Sequence, residues 1–148
     1  MSRKTETRAD YPHHLVIPTR WMDNDVYGHV NNVVYYSWFD TAVNRYLIDE
    51  GVLDIAASPV IGLVVATNCA YFAPVAFPDE IVAGVRVAHL GNSSVRYEIG
   101  LFKPGLDTPA AAGEFTHVYV DRASNRPTAL PAALRAALEK IVVKPKAE

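Results

Sequence analysis

From Val34 onward the large apolar residues recur as Val34/Tyr35, Trp38/Phe39, Ala42/Val43 and Tyr46/Leu47. This spacing of four puts them on one broad stripe and predicts a buried amphipathic helix. Asn31 or Asn32 is a favoured N-cap, and Gly51, just after Asp49 and Glu50, is a favoured stop. Ahead of the helix, residues 14–21 have strand character, with Pro18 implying an edge position or a bulge. Beyond it, apolar segments rich in β-branched and aromatic residues at 63–72, 81–90, 94–103 and 111–121 predict four more strands. Turn residues bound each segment, and the connections at Gly91-Asn92 and at 104–109 are short enough for antiparallel hairpins, so a meander is expected. Pro131, with Leu134, Leu138 and Ile141 along one face, predicts a short closing helix over 131–142 before a Lys-rich tail. One long helix and five strands make an α+β domain, and strand-level reasoning leaves several arrangements of it open.

Length and charge narrow the picture. The 148 residues suffice for one full core and expect a single domain over 1–148, with 1–12 as a flexible tail. Net charge is only -2, so no basic field points to nucleic acid. No apolar run is long enough for a membrane span, and the first residues lack the apolar stretch of a signal peptide, so the cytoplasm is the expected compartment. Cys69 is the only cysteine and lies in an apolar strand without a neighbouring base, which fits a buried structural thiol.

Candidate chemistry concentrates where the helix begins. Asp23, Asn24, Asp25, His29, Asn31 and Asn32 crowd the loop that enters it, and the helix start offers unpaired amides and a positive dipole end to an anion. Asp23-Asn24-Asp25 opens like a calcium loop, yet Tyr27 and Val34 stand where the fifth and twelfth positions need oxygen ligands. His13-His14 has no second cluster at ligand spacing and is expected to be solvated, so no metal site is expected. Ser93-Ser94 lacks a nucleophile-elbow context and reads as a turn or a phosphate contact. Of Arg96, Lys103, Arg122 and Arg126, Arg126 beside Pro127 is the best candidate for a phosphate.

The segment Asp23-x-Asp25-x-x-Gly28-His29-Val30-Asn31-Asn32-x-x-Tyr35 resembles the motif of hotdog-fold acyl-CoA thioesterases of the 4-hydroxybenzoyl-CoA thioesterase type. Pro74-x-x-Phe77-Pro78-Asp79, Leu90-Gly91-x-Ser93-Ser94 and Arg126-Pro127 extend the resemblance over nearly the whole chain. The resemblance implies a curved antiparallel five-stranded sheet wrapped around one long central helix. It implies Asp25 as catalytic carboxylate, nucleophile or general base, and a backbone amide at or near Asn32 as the oxyanion donor. His29 and Asn31 are candidates to orient water or substrate, and Asp23 is expected to fix the loop. Tyr35, Asn68, Tyr71, Ser93, Ser94 and Arg126 are the candidate substrate-binding residues. A homodimer or homotetramer is implied, with sites at the subunit interface and no cofactor beyond the coenzyme A of the substrate. The family's better-known members carry basic residues near the turn before the fourth strand, where this chain has Gly91-Asn92-Ser93-Ser94. Rival readings are a hotdog enoyl-thioester hydratase or dehydratase, for which only His29 offers itself, and a non-catalytic acyl-CoA-binding dimer in which the Asp loop merely caps the helix.

Overall fold

The computed structural model describes residues 3–143. Elements follow in the order β1 (His13–Pro18), α1 (Asn32–Asp49), β2 (Val60–Tyr71), β3 (Glu80–Leu90), β4 (Ser94–Phe102), β5 (Ala111–Asp121) and α2 (Ala132–Glu139), with short 3-10 turns at Arg8–Asp10 and Trp21–Asp23. The expected strand at 14–21 stops at Pro18, and Trp21 belongs to the second of these turns.

The strands form one antiparallel sheet in the order β1-β3-β4-β5-β2. Only β3, β4 and β5 make the expected meander. β2 pairs with β5, not β3, in a register that runs from Val60 opposite Asp121 to Tyr71 opposite Ala111. The reason lies in residues 72–79, where Pro74 and Pro78 withhold amides from a tight hairpin. Instead, the Phe72 and Ala73 amides both donate to Ala110 O, and the chain crosses to the far side of the sheet.

α1 lies on one face of this sheet. Asn31 caps it by accepting from the Val33 amide at 3.1 Å, and Gly51 follows its end in the left-handed region at φ 73°. Tyr35, Trp38, Phe39, Ala42, Val43, Tyr46 and Leu47 are buried, the stripe that the spacing of four defines. Each large apolar side chain so buried stabilises by about 1.5–3 kcal/mol. Phe39 seats against β5 where Gly113 leaves room: a Cβ there would stand 2.4 Å from the ring. Beside the long α1 stands the expected second, closing helix, the eight-residue α2, which covers one end with Leu134, Ala137 and Leu138 buried. It is shorter than the expected 131–142. Past it, the Ile141 carbonyl and Val143 amide bond to Val87 of β3, while the Lys-rich tail lies outside the described residues.

The opposite face of the sheet is covered by the chain start, against the expectation of a flexible tail over 1–12. Within residues 3–12, Tyr11 is 2% exposed because its ring fills a slot over Gly84 and Gly100, where a Cβ would come within 2.7 Å of it. Arg86 lies 4.4 Å from the ring centroid and pairs with Glu6 and with Glu98 at 2.8 Å, and Arg3 donates to Gly113 O at 2.7 Å. Composition alone made this strap look polar and loose, whereas its charges find partners on β3, β4 and β5. The histidine pair is likewise placed: the His13 ring packs edge-on to Tyr46 at 4.7 Å, and His14 Nε2 sits 2.8 Å from Arg8 O.

Candidate active site

The loop between β1 and α1 is built from backbone and carboxylate hydrogen bonds. Asp23, 2% exposed, accepts from the Arg20 amide at 2.8 Å and from its guanidinium at 2.7 and 3.0 Å, while its carbonyl accepts from the Asn31 amide at 2.9 Å. Asp23 therefore fixes the loop, as expected of a turn Asp. Asp25 is half-buried and its amide donates to His29 O at 2.8 Å. One carboxylate oxygen accepts from the Tyr27 amide at 2.9 Å, and among the described residues the other has no partner. Gly28, at φ 81°, takes the left-handed conformation that lets this turn close on itself.

The start of α1 supplies a donor. Asn31 spends its carboxamide oxygen on the Val33 amide and its carbonyl on the Val34 amide, so it is occupied as the helix cap. The Asn32 amide, first of the helix, forms no hydrogen bond among the described residues. Asn32 is among the residues that line a cleft of about 340 Å³, with His29, Val30, Tyr35, Tyr71, Phe72, Ala73 and Pro74. The cleft walls are mainly aromatic and apolar. The Tyr35 ring meets Trp38 at a tilt, 5.0 Å between centroids, and Tyr71 edge-on at 4.9 Å, and the Tyr71 hydroxyl donates to Asn32 O at 3.1 Å. Burial pushes the Tyr35 phenol up to about 12 and raises that of Tyr71 as well, so both stay protonated at neutral pH. Cys69, two residues away on β2, is half-buried with its thiol pushed up to about 11 by burial, which leaves it a poor nucleophile.

His29, Asn32, Tyr35 and Tyr71 thus meet in one cleft, with Asp25 in the adjoining turn. Four other candidates stand apart from it. Asn68 points to the sheet face away from α1, where its amide donates to Glu114 at 3.3 Å. Ser93 and Ser94 lie at the opposite end of the sheet: Ser94 pairs with Val118, whereas Leu101, seven residues on, shares the Ala111 end with Tyr71. At 3.3 Å per residue this is a separation of roughly 23 Å along β4. Arg126 follows β5 at that same far end and is exposed, its guanidinium without a partner among the described residues. Arg122 is committed to holding Ser58 O and Ile55 O. Sequence reasoning overlooked Phe72, Ala73, Pro74 and Val75, which wall the cleft or brace the loop. The prolines at 74 and 78 marked that segment, but only its fold-back brings it beside α1.

No group of three or more metal-ligating side chains exists among the described residues, and no helix among them is long and apolar enough to cross a membrane.

A curved five-stranded antiparallel sheet carrying a helix, with a cleft at the helix start, defines a hotdog-type α+β protein. The profile of the Thioesterase-like superfamily matches residues 19–138, and the chain belongs to that superfamily. Among solved structures it is similar to the PA5185 protein of Pseudomonas aeruginosa, with 58% identity, TM-score 0.90, and coverage of 93% of this chain and 96% of that one. PA2801 of Pseudomonas aeruginosa, a candidate thioesterase, is 32% identical with TM-score 0.79, covering 86% of this chain and 98% of its own. A Thermus thermophilus thioesterase complexed with coenzyme A and zinc is 29% identical with TM-score 0.72, covering 89% and 95%. Among curated proteins none matches the chain.

Proposed function

We propose that the protein is an acyl-CoA thioesterase that hydrolyses an acyl-CoA to a carboxylic acid and free coenzyme A. The observation that carries this reading is the uncommitted Asn32 amide at the head of α1, beside an aromatic cleft and one turn from a carboxylate with a free oxygen. The Asn32 amide and the helix dipole stabilise the oxyanion as the thioester carbonyl becomes tetrahedral. Asp25 either takes the proton of an attacking water or attacks that carbon itself to give a mixed anhydride that a water then hydrolyses; in both routes the coenzyme A thiolate leaves and is protonated by solvent. His29 orients water or substrate at the cleft mouth. This chemistry requires neither a metal nor a redox cofactor. A solved relative bound to coenzyme A supports the choice of thioester.

The working unit in this reading is at least a homodimer. β2 is an edge strand whose Leu63, Val64 and Val65 are exposed at 42%, 46% and 59%, an apolar edge of the kind that pairs with another strand. Two-fold antiparallel pairing of β2 with a second β2 sets the Val60 end of one copy beside the Tyr71 end of the other. The 91–94 turn and Arg126 of a second copy then approach the cleft that its own copy keeps roughly 23 Å distant. In that arrangement Arg126 and the Ser93-Ser94 turn meet the coenzyme A phosphates, while Tyr35 and Tyr71 hold the acyl group.

The test is thiol release from short, medium, long and aromatic acyl-CoAs, with crotonyl-CoA included. Release of thiol supports the thioesterase. Loss of the enoyl absorbance without thiol favours a hydratase, and binding without turnover favours a carrier dimer.

A further inference from the structure

Among the described residues the hydrogen bonds of Asp25 stay within its own turn: its amide reaches His29 O, its carbonyl accepts from the Gly28 amide and its carboxylate from the Tyr27 amide. Val26, Tyr27, Gly28 and His29 are all exposed. Among the described residues, the one side chain of 24–29 that hydrogen-bonds beyond the loop is Asn24, whose Oδ1 accepts from the Phe77 amide at 3.0 Å. Phe77 belongs to the same 72–79 segment that contributes Phe72, Ala73 and Pro74 to the cleft wall. The Trp21 ring meets Phe77 edge-on at 5.9 Å from the preceding turn, and the Val30 amide donates to Val75 O at 2.7 Å from the following one. The loop is therefore docked on this segment at three points, and Asn24 is the point next to the acid.

We propose that Asn24 is a positioning residue for Asp25: by holding the Phe77 amide, it sets the carboxylate relative to the cleft wall against which the acyl group lies. The role rests on the thioesterase reading above. Neither the capping of α1 by Asn31 nor the Asp23–Arg20 pair depends on Asn24, so the fold and the cleft persist without it while the aim of the carboxylate does not. A misplacement of about 1 Å at a reacting group costs on the order of 100-fold in rate.

The experiment compares wild type, Asn24→Leu and Asn24→Asp by thiol release on the best acyl-CoA of the panel at pH 8, with thermal melting alongside. Asn24→Leu removes the acceptor at similar volume, and kcat is expected to fall about 10- to 100-fold with KM and Tm near those of wild type. Asn24→Asp restores an acceptor oxygen for the Phe77 amide and is expected to recover most of kcat. Asn24→Ala makes the same comparison if the leucine variant does not fold. An unchanged kcat in an active enzyme, or a parallel loss of kcat, KM and Tm that Asn24→Asp does not rescue, overturns the positioning role and leaves the thioesterase standing. Wild type that releases no thiol from any acyl-CoA removes both.

Discussion

The Tyr71 hydroxyl donates to the carbonyl of Asn32 at 3.1 Å, tying the last residue of the edge strand to the first residue of the helix. Asn32, which lines the cleft and whose amide is uncommitted, is thereby held through its carbonyl by a strand whose Tyr71 also lines the cleft. Sequence placed Tyr71 as a contact to substrate. The structure gives its hydroxyl a partner already, so its effect on the reaction runs through the helix start.

Tyr71→Phe keeps the ring against Tyr35 and loses this bond. A neutral hydrogen bond contributes about 1 kcal/mol net, equivalent to about fivefold in rate. The variant is expected to lower Tm by roughly 2–4 °C and kcat by up to about fivefold, measured by a thermal scan beside thiol release.

Exposed Val64 lies on an unpaired edge, so a charge there opposes strand pairing by a second copy. Val64→Lys is expected to halve the mass seen by light scattering while the far-ultraviolet circular dichroism stays native. If the cleft is completed by the far end of a second copy, thiol release falls with the assembly. A monomeric variant with full activity shows that one chain holds a whole site.

His117 is 3% exposed on the core face of β5, with Tyr119 Oη at 3.3 Å from its Nδ1 and the Tyr97 and Tyr119 hydroxyls 2.6 Å apart. Burial lowers its folded-state value to about 4, below an unfolded value of about 6.5. The unfolded chain therefore binds the proton first as pH falls. The stabilisation is complete above about pH 6.5, declines below it and is gone near pH 4, on the order of 3 kcal/mol in all. His117→Phe is expected to flatten the dependence of Tm on pH between those limits.

The helix was legible because the spacing of Tyr35, Trp38, Phe39, Val43 and Tyr46 and the caps at Asn31 and Gly51 are local properties of the chain. The strands were legible from β-branched runs, and 111–121 matches β5 residue for residue. Pairing was not: the union of β2 with β5 depends on how residues 72–79 cross under the helix start, which periodicity does not encode. The strap was missed for a related reason, since Arg3, Glu6 and Tyr11 look polar and mobile until Gly84, Gly100 and Arg86 are set beside them. Asp25 and Asn32 were singled out through a local motif that runs from Asp23 to Tyr35. The face of Asn68 was not legible, because the bulge between Val64 and Ala66 and the alternation of β2 decide it. Ser93, Ser94 and Arg126 lie far along the sheet from the cleft, and no pattern along one chain says whether a second chain brings them back.

The most direct measurement is thiol release by wild type and Asp25→Asn on the same acyl-CoA, with folding checked by melting. The amide keeps an oxygen for the Tyr27 amide and so preserves the turn, while removing the charge that attacks or accepts a proton. A fall in kcat of at least about 100-fold with KM and Tm near wild type is predicted, general acid–base catalysis alone accounting for about 100- to 10,000-fold. Equal rates in the two proteins contradict the account, since they leave the Asn32 amide without the carboxylate it is proposed to serve.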